Sequence, residues 1–214
     1  MRIDIWSDMV CPWCYLGHRR FELALDRLRQ DGVEGFDVRW RAYELDPGAP
    51  AEPGDLRAVI EKKYGPGAFD GMTSRLTALG AADGLDYRFD LAQRVNTFDA
   101  HRLTAWAAAA GPEAQDAVLR RLFRAYFSEG QVISDHQVLT RVAAEAGLDG
   151  AAAGAVLAGD DWADEVRADE AMAQDLGVGG VPAFVLDRQF LVSGAQDTET
   201  FVRLLRKVAE RASS

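Results

Sequence analysis

Cysteine is scarce in this sequence: its 214 residues include two, Cys11 and Cys14, with only Pro12 and Trp13 between them. A chain of this length can bury a substantial core without covalent help, so it needs no disulfide framework. Histidine is nearly as scarce, and His18, His101 and His136 are scattered. No second Cys-x-x-Cys and no histidine cluster is present to complete a zinc set, so no metal is expected. No apolar run approaches the length of a membrane span. Met1-Arg2-Ile3-Asp4 leads straight into a strand pattern, without the charged and apolar regions of a signal peptide. Basic residues are outnumbered, 24 against 34 acidic, for a formal net charge of −10. That balance argues against nucleic acid and anionic membranes as partners. The expectation is a cytoplasmic protein.

What is present has a clear order. Ile3 and Ile5 alternate with Asp4 and Trp6, a strand pattern. From Pro12 the period changes, and Cys14, Gly17, Phe21, Ala24, Leu25 and Leu28 share one face of a helix that ends near Asp31-Gly32. Phe36, Val38, Trp40 and Ala42 alternate again as a second strand. A Pro- and Gly-rich loop over 46–54 then opens a long run of helical sequence. Within it, Ser134-Asp135-His136-Gln137 reads as a capping box, and Gly147, Gly159 and Gly177 read as helix stops. Strand character returns at 183–186 and 190–192 as a hairpin. A last amphipathic helix starts near Asp197 and carries Phe201, Leu204, Leu205 and Val208. The order β-α-β, helices, β-β-α predicts an α/β thioredoxin-like fold with an inserted all-helical domain. The thioredoxin-like part spans 1–52 and 177–214, and the insertion 53–176.

Three readings compete for the cysteine pair. As a staple it would close so short a loop that little unfolded-state entropy is removed. As half of a metal site it lacks the other half. As a redox dithiol it has a mechanism: Cys11 sits at the N-terminus of a helix, where unpaired N–H groups and the macrodipole favour a thiolate. Cys14, one turn further and on the apolar stripe, would be the more buried, resolving thiol. Pro12 suits the first helical turn, where its missing N–H costs nothing. Trp13 would lie near the active sulfur. In a reducing compartment such a pair is more often catalytic or metal-binding than structural.

A second signal is "GVGGVPAF", residues 177–184, just before a strand. Proline cannot sit centrally in a strand, so Pro182 marks a strand start or an unusual turn. Together with "SDMVCPWCYLGHRRFE", "NTFDAHRL", "SEGQVISDHQVL" and "FLVSGAQ", it makes the chain resemble the DsbA-like branch of the thioredoxin superfamily, and more narrowly the FrnE subfamily. The resemblance covers nearly the whole chain. It implies a cis bond before Pro182, the Val181 backbone near the cysteines and available to an extended substrate, Cys11 as nucleophile and Cys14 as resolving thiol. The partners implied are protein or small-molecule thiols and disulfides, and the redox-active disulfide itself serves as the cofactor. Kappa-class glutathione transferases and 2-hydroxychromene-2-carboxylate isomerases resemble the "YLGHRRFE" and "NTFDAHRL" regions as well. They typically carry serines where this chain has its cysteines. That departure favours dithiol–disulfide exchange and leaves glutathione open as a co-substrate. No C-terminal cysteine pair of the kind found in some FrnE members is present, so no internal relay is expected.

Other residues are candidates for tuning the thiols or lining the site. His18 lies four positions after Cys14 and on nearly the same face, although a histidine there more often packs against a neighbouring element. Asp8 and Asp4 are candidate carboxylates for proton transfer from Cys14, and Asp8 reads equally as a solvated loop acid. Asn96 and His101 could line the mouth of the site, or Asn96 and Thr97 could simply start a helix. Gly194-Ala195-Gln196 could cap the helix that follows. Trp13 cannot supply the cationic tuning that a histidine before the second cysteine provides in strong oxidants. Two rivals remain beside the oxidoreductase: a glutathione-dependent isomerase or transferase on small aromatic or polyketide-like molecules, and a binding or chaperone-like module.

Overall fold

The computed structural model describes residues 1–212. Residues 213 and 214, the end of the expected carboxy-terminal segment, lie outside it. Four strands form one sheet in the order β2-β1-β3-β4. β1 (Arg2–Ser7) and β2 (Asp37–Ala42) run parallel, with Ile3 opposite Val38 and Ile5 opposite Trp40. Helix α1 (Pro12–Gln30) connects them. β3 (Ala183–Leu186) joins the other side of β1 antiparallel, with Trp6 opposite Ala183. β4 (Phe190–Ser193) completes a hairpin with it. The hairpin turns through Asp187 and Arg188, both at positive φ, and closes with the Gln189 N–H on Leu186 O at 3.0 Å. Positive φ at two central residues matches the right-handed twist of the flanking strands. Helix α9 (Thr198–Ala212) packs on α1.

Between β2 and β3 lies the helical insertion: α2 (Leu56–Tyr64), α3 (Ala68–Ala82), α4 (Phe98–Ala108), α5 (Pro112–Phe127), α6 (His136–Glu145), α7 (Gly150–Ala158) and α8 (Ala163–Asp175). α1 ends as its sequence predicts. Gly32, at φ 76°, follows the Asp31 cap, and the Val33 N–H reaches back to Leu28 O at 2.8 Å. That left-handed glycine satisfies carbonyls the last turn would otherwise leave open. Gly147, Gly159 and Gly177 likewise stand just after α6, α7 and α8. The capping box is corrected by one residue. Asp135, not Ser134, caps α6 by accepting the Gln137 N–H at 2.8 Å, and the Ser134 hydroxyl donates to Ala51 O.

One core runs from the sheet into the insertion. The Ile3 and Ile5 face of β1 packs with Phe21, Leu28, Phe184 and Phe201, and the same cluster continues into α4, α5 and α6. Tyr15 stacks on Phe123 and Phe127 of α5 at 5.2 and 5.6 Å, so α1 is shared by both regions. Each such fully buried ring contributes roughly 2–3 kcal/mol of burial. The opposite face of β1 is buried as well, which the alternation of Asp4 and Trp6 with isoleucines does not reveal. α8 covers it: the Trp6 indole donates to Asp169 O at 2.8 Å, and Arg2 and Arg41 pair with Asp4 at 2.7 and 2.9 Å. A central strand is thereby buried on both sides, and its carboxyl end opens onto α1.

Candidate active site

The cysteines sit where β1 hands over to α1. Cys11 is the N-cap residue, with extended φ and ψ of −86° and 111° and no capping bond from its own side chain. Its N–H is held by Asp8 O at 3.1 Å, and its carbonyl accepts from Cys14 and Tyr15 at 3.0 and 3.2 Å. Pro12 occupies the first helical position, and its carbonyl accepts the Tyr87 hydroxyl at 2.5 Å. Both thiols are free. Cys11 is 4% exposed and Cys14 1%, so both are buried and the expected order holds by a small margin. The Trp13 ring, half-buried, lies 5.8 Å from the Arg75 guanidinium.

The late Gly-Val-Pro segment meets this corner because β3 pairs with β1. The Val181–Pro182 peptide is cis, and Cys11 Sγ donates to Val181 O at 3.6 Å. Gly17 makes the approach tight: a Cβ there would stand 3.1 Å from Pro182 Cγ and 3.4 Å from Ala195 Cβ. Burial pushes the Cys14 thiol well up, and the adjacent Cys11 adds to it. The Ser7 hydroxyl and the Asp8 amide act on the same sulfur in the opposite direction and are outweighed. Cys14 therefore rests as a protonated thiol.

The remaining candidates divide. Asp8 is fully buried rather than a solvated loop acid. Its Oδ2 accepts the Leu45 N–H at 2.8 Å, and its Oδ1 faces His101 Nε2 at 3.4 Å without hydrogen-bonding geometry. His18 is turned into the insertion. Its Nε2 meets Asp116 at 2.9 Å and its ring stacks on Trp40 at 4.8 Å. Asn96 starts α4, accepting the Phe98 N–H at 2.9 Å while donating to Ala49 O at 3.3 Å. Asp4 is committed to its two arginines; burial raises its carboxyl, and Arg2 and Arg41 outweigh burial and lower it. Asp197, rather than Gly194-Ala195-Gln196, caps α9 by accepting the Thr200 N–H at 2.8 Å.

His18, Glu22 and Asp116 converge closely enough to resemble a metal-ligand set. Arg120, however, pairs with both carboxylates at 3.1 and 2.5 Å, and the Trp40 indole donates to Asp116 at 3.1 Å. Internal donors already compensate that cluster.

Sequence reasoning passed over Ser7, Glu44, Tyr87 and Asp169. Burial pushes the carboxyls of Glu44 and Asp169 up, even though Arg167 and Arg41 each approach to 2.8 Å. Ser7 and Glu44 could have been found from topology. They lie at or just beyond the carboxyl ends of the two parallel strands, where open α/β sheets place their sites.

A parallel βαβ unit, an antiparallel hairpin and a dithiol at a helix N-terminus define a thioredoxin-like protein. Residues 2–206 match the DSBA-like thioredoxin domain, and the chain belongs to that family. It is similar to the crystal structure of a probable DsbA oxidoreductase, SCO1869 from Streptomyces coelicolor. That match is 42% identical, covers 97% of this chain and 89% of the other, and has a TM-score of 0.88. It shares its fold with a 2-hydroxychromene-2-carboxylate isomerase, at 20% identity, 100% and 98% coverage and a TM-score of 0.71. The same holds for the cytosolic disulfide reductase DsbM from Pseudomonas aeruginosa with GSH, at 22% identity, 100% and 98% coverage and 0.65. No helix among the described residues is long and apolar enough to cross a membrane.

Proposed function

We propose that the protein is a thiol–disulfide oxidoreductase of the FrnE-like kind, working through the Cys11–Cys14 pair on protein or small-molecule disulfides and thiols. The observation that carries the reading is the placement of two thiols at the N-terminus of α1, with Cys11 Sγ 3.6 Å from the carbonyl of the residue before Pro182. In the reducing direction, the Cys11 thiolate attacks one sulfur of a substrate disulfide and the other leaves as a thiolate. Cys14 then attacks Cys11 Sγ, the mixed disulfide breaks, and the substrate's second thiol departs with the electron pair. The reverse sequence oxidises a dithiol.

Asymmetry between the two sulfurs supports these roles. Cys11 is the N-cap residue with its sulfur against the Val181 carbonyl, whereas Cys14 lies one turn in and is held as a thiol by burial. The thioredoxin-like part carries the thiols in 1–52 and Pro182 in 177–214, and the helices of 53–176 would shape access to them. Neither a metal nor an organic prosthetic group is needed, because the disulfide is itself the carrier. The fold likeness to DsbM with GSH favours glutathione as the small thiol that recycles the pair, in the cytoplasm.

Equilibration in graded glutathione buffers, with acid-quenched thiol trapping, tests the reading. A Cys11–Cys14 potential near about −270 mV marks a reductase, and one near about −120 mV an oxidant. Cys11→Ser abolishes exchange; activity that survives it sinks the proposal. Catalysis that persists in Cys14→Ala together with saturable glutathione binding would instead identify a glutathione-dependent isomerase or transferase.

A further inference from the structure

The peptide at the centre of the Cys-Pro-Trp-Cys turn is held from the helical insertion. Tyr87, in the segment between α3 and α4, donates its hydroxyl to the Pro12 carbonyl at 2.5 Å. That carbonyl belongs to the Pro12–Trp13 peptide, with one cysteine on either side. The bonds across the turn itself are internal: the Cys14 and Tyr15 N–H groups meet Cys11 O at 3.0 and 3.2 Å.

The Tyr87 ring is boxed in. It is buried, stacks on Phe89 at 4.9 Å, and meets Tyr15 and Phe127 edge-on at 5.4 and 5.3 Å. Gly80 of α3 stands against the same ring, and a Cβ there would lie 2.4 Å from Tyr87 Cε2. A glycine inside a helix costs about 0.5–1 kcal/mol relative to alanine. Here it clears the space that the ring fills. Burial, and then any charge on Tyr15, Cys11 or Cys14, holds the phenol well above the ordinary tyrosine range, and the Leu16 amide opposes this and is outweighed. The hydroxyl therefore stays a hydrogen-bond donor whatever the state of the two sulfurs.

We propose that Tyr87 is a positioning residue for the resolving step, its hydroxyl tethering the turn between the cysteines to the insertion and so keeping Cys14 aligned on Cys11. This inference rests on the oxidoreductase reading. Attack of Cys11 on an external disulfide does not involve Cys14. In the second step Cys14 releases its proton to solvent and its sulfur attacks Cys11 Sγ. The Cys11–Cys14 bond forms as the Cys11–substrate bond breaks, and the electron pair leaves on the substrate sulfur, which takes a proton from water. The rate of such an internal attack follows how narrowly the two reacting groups are held. A fixed peptide between the two sulfurs narrows the positions open to them. Tyr87 itself touches neither the substrate nor the bond that breaks.

Tyr87→Phe keeps the boxed ring and deletes the hydroxyl, and oxidised glutathione is the probe. Formation of the Cys11–glutathione adduct is timed in a Cys14→Ala background, and release of the bound glutathione with both cysteines present. In Tyr87→Phe, release slows about fivefold while adduct formation is unchanged. In graded glutathione buffers the Cys11–Cys14 disulfide becomes about fivefold less favoured, a rise in potential of about 20 mV at about 30 mV per tenfold. Equal slowing of both steps, or a loss of stability with the potential unmoved, would show a merely structural role and overturn the proposal. Gly80→Ala reaches the same hydroxyl by displacing the ring. Release slows there too, but no further in the double variant than in Tyr87→Phe alone, and slowings that multiply refute the tether. Should either variant fold poorly, the wild type decides. Its Tyr87 hydroxyl proton, followed through the ring Cζ resonance in deuterated water, must exchange slowly in both the dithiol and the disulfide forms, and rapid exchange in either sinks the proposal. If no adduct forms at Cys11 even with Tyr87 intact, it is the oxidoreductase reading that fails.

Discussion

Two histidines are buried in this protein, and their surroundings are opposites. His18 sits on the seam between α1 and α5 with its ring against Trp40 and a 2.9 Å bond to Asp116, which Arg120 and the Trp40 indole also engage. His101 sits on the seam between α4 and the end of β1. Its Nε2 faces a carboxylate oxygen at 3.4 Å, and both atoms lack a hydrogen bond. Each lies within reach of an acid, half-buried Asp116 for His18 and buried Asp8 for His101, but only the first pair is saturated. A saturated pair has spent its hydrogen-bonding capacity on the fold, while an unsaturated one retains the freedom to accept and release a proton. From sequence His18 is the more attractive candidate, being one turn from Cys14. In the structure it is the distant His101 that keeps an unpaired nitrogen beside a carboxylate.

The difference can be broken most severely at His18. Replacing it with alanine removes a ring packed on Trp40 and Phe123 and strips Asp116 of its buried partner. Loss of the aromatic volume and the charge-assisted bond should cost about 3 kcal/mol, read as a shift in urea unfolding. Exchange per folded molecule should stay within about twofold, since His18, although one turn from Cys14, makes its contacts with Trp40, Phe123 and Asp116. A large loss of rate at unchanged stability would return His18 to the site.

Asp116 sharpens the same comparison through pH. Burial raises its carboxyl, but the hydrogen bonds and charges of His18 and Arg120 outweigh burial and bring it down to about 2, from an ordinary 3.8. As acid is added, the unfolded chain takes up this proton first. The stabilisation is therefore complete above about pH 4 and drains away as the pH falls toward 2, with a total of about 2 kcal/mol. Asp116→Asn keeps an oxygen for His18 and Trp40 but removes the charge. Its deficit relative to wild type should be about 2 kcal/mol at pH 5 and shrink toward zero near pH 2. A deficit that is flat across that window would mean that the pair contributes geometry and not charge.

Much of this arrangement was legible in the chain itself, for local reasons. The change from period two to period 3.6 at Pro12 marks β1 and α1, and Gly32 and Gly177 mark helix ends, because strand, helix and left-handed turn each leave their imprint within a few residues. Two thiols three positions apart at that junction are also a local signal. Asp8 is different. In sequence it is an acid after a strand, and nothing nearby says that α4 and the segment around Leu45 will close over it. His101 lies 93 residues further on, and its approach to Asp8 depends on how the insertion folds back against β1. Asp4 and Trp6 carry the same lesson. Alternation with Ile3 and Ile5 describes one buried face, and it is silent about α8 covering the other. The cap of α6 at Asp135 instead of Ser134 is a smaller case, decided by Ala51 competing for the serine hydroxyl.

The smallest expected effect is the most pointed. Asp8→Asn is nearly isosteric, and an asparagine oxygen can still accept the Leu45 N–H that Asp8 Oδ2 accepts at 2.8 Å. What it removes is a buried carboxylate with one oxygen left unpaired. Neutralising it relieves the desolvation of the one oxygen that no hydrogen bond reaches, so stability should rise by about 0.5–1 kcal/mol. The sign is opposite to that at Asp116, although both substitutions are Asp→Asn beside a buried histidine. Parallel urea titrations of the two variants at pH 7 would show it. If Asp8→Asn instead lost about 2 kcal/mol, as expected of Asp116→Asn, the Asp8–His101 contact would belong with the pairs that hold the fold, and the contrast between the two histidines would disappear.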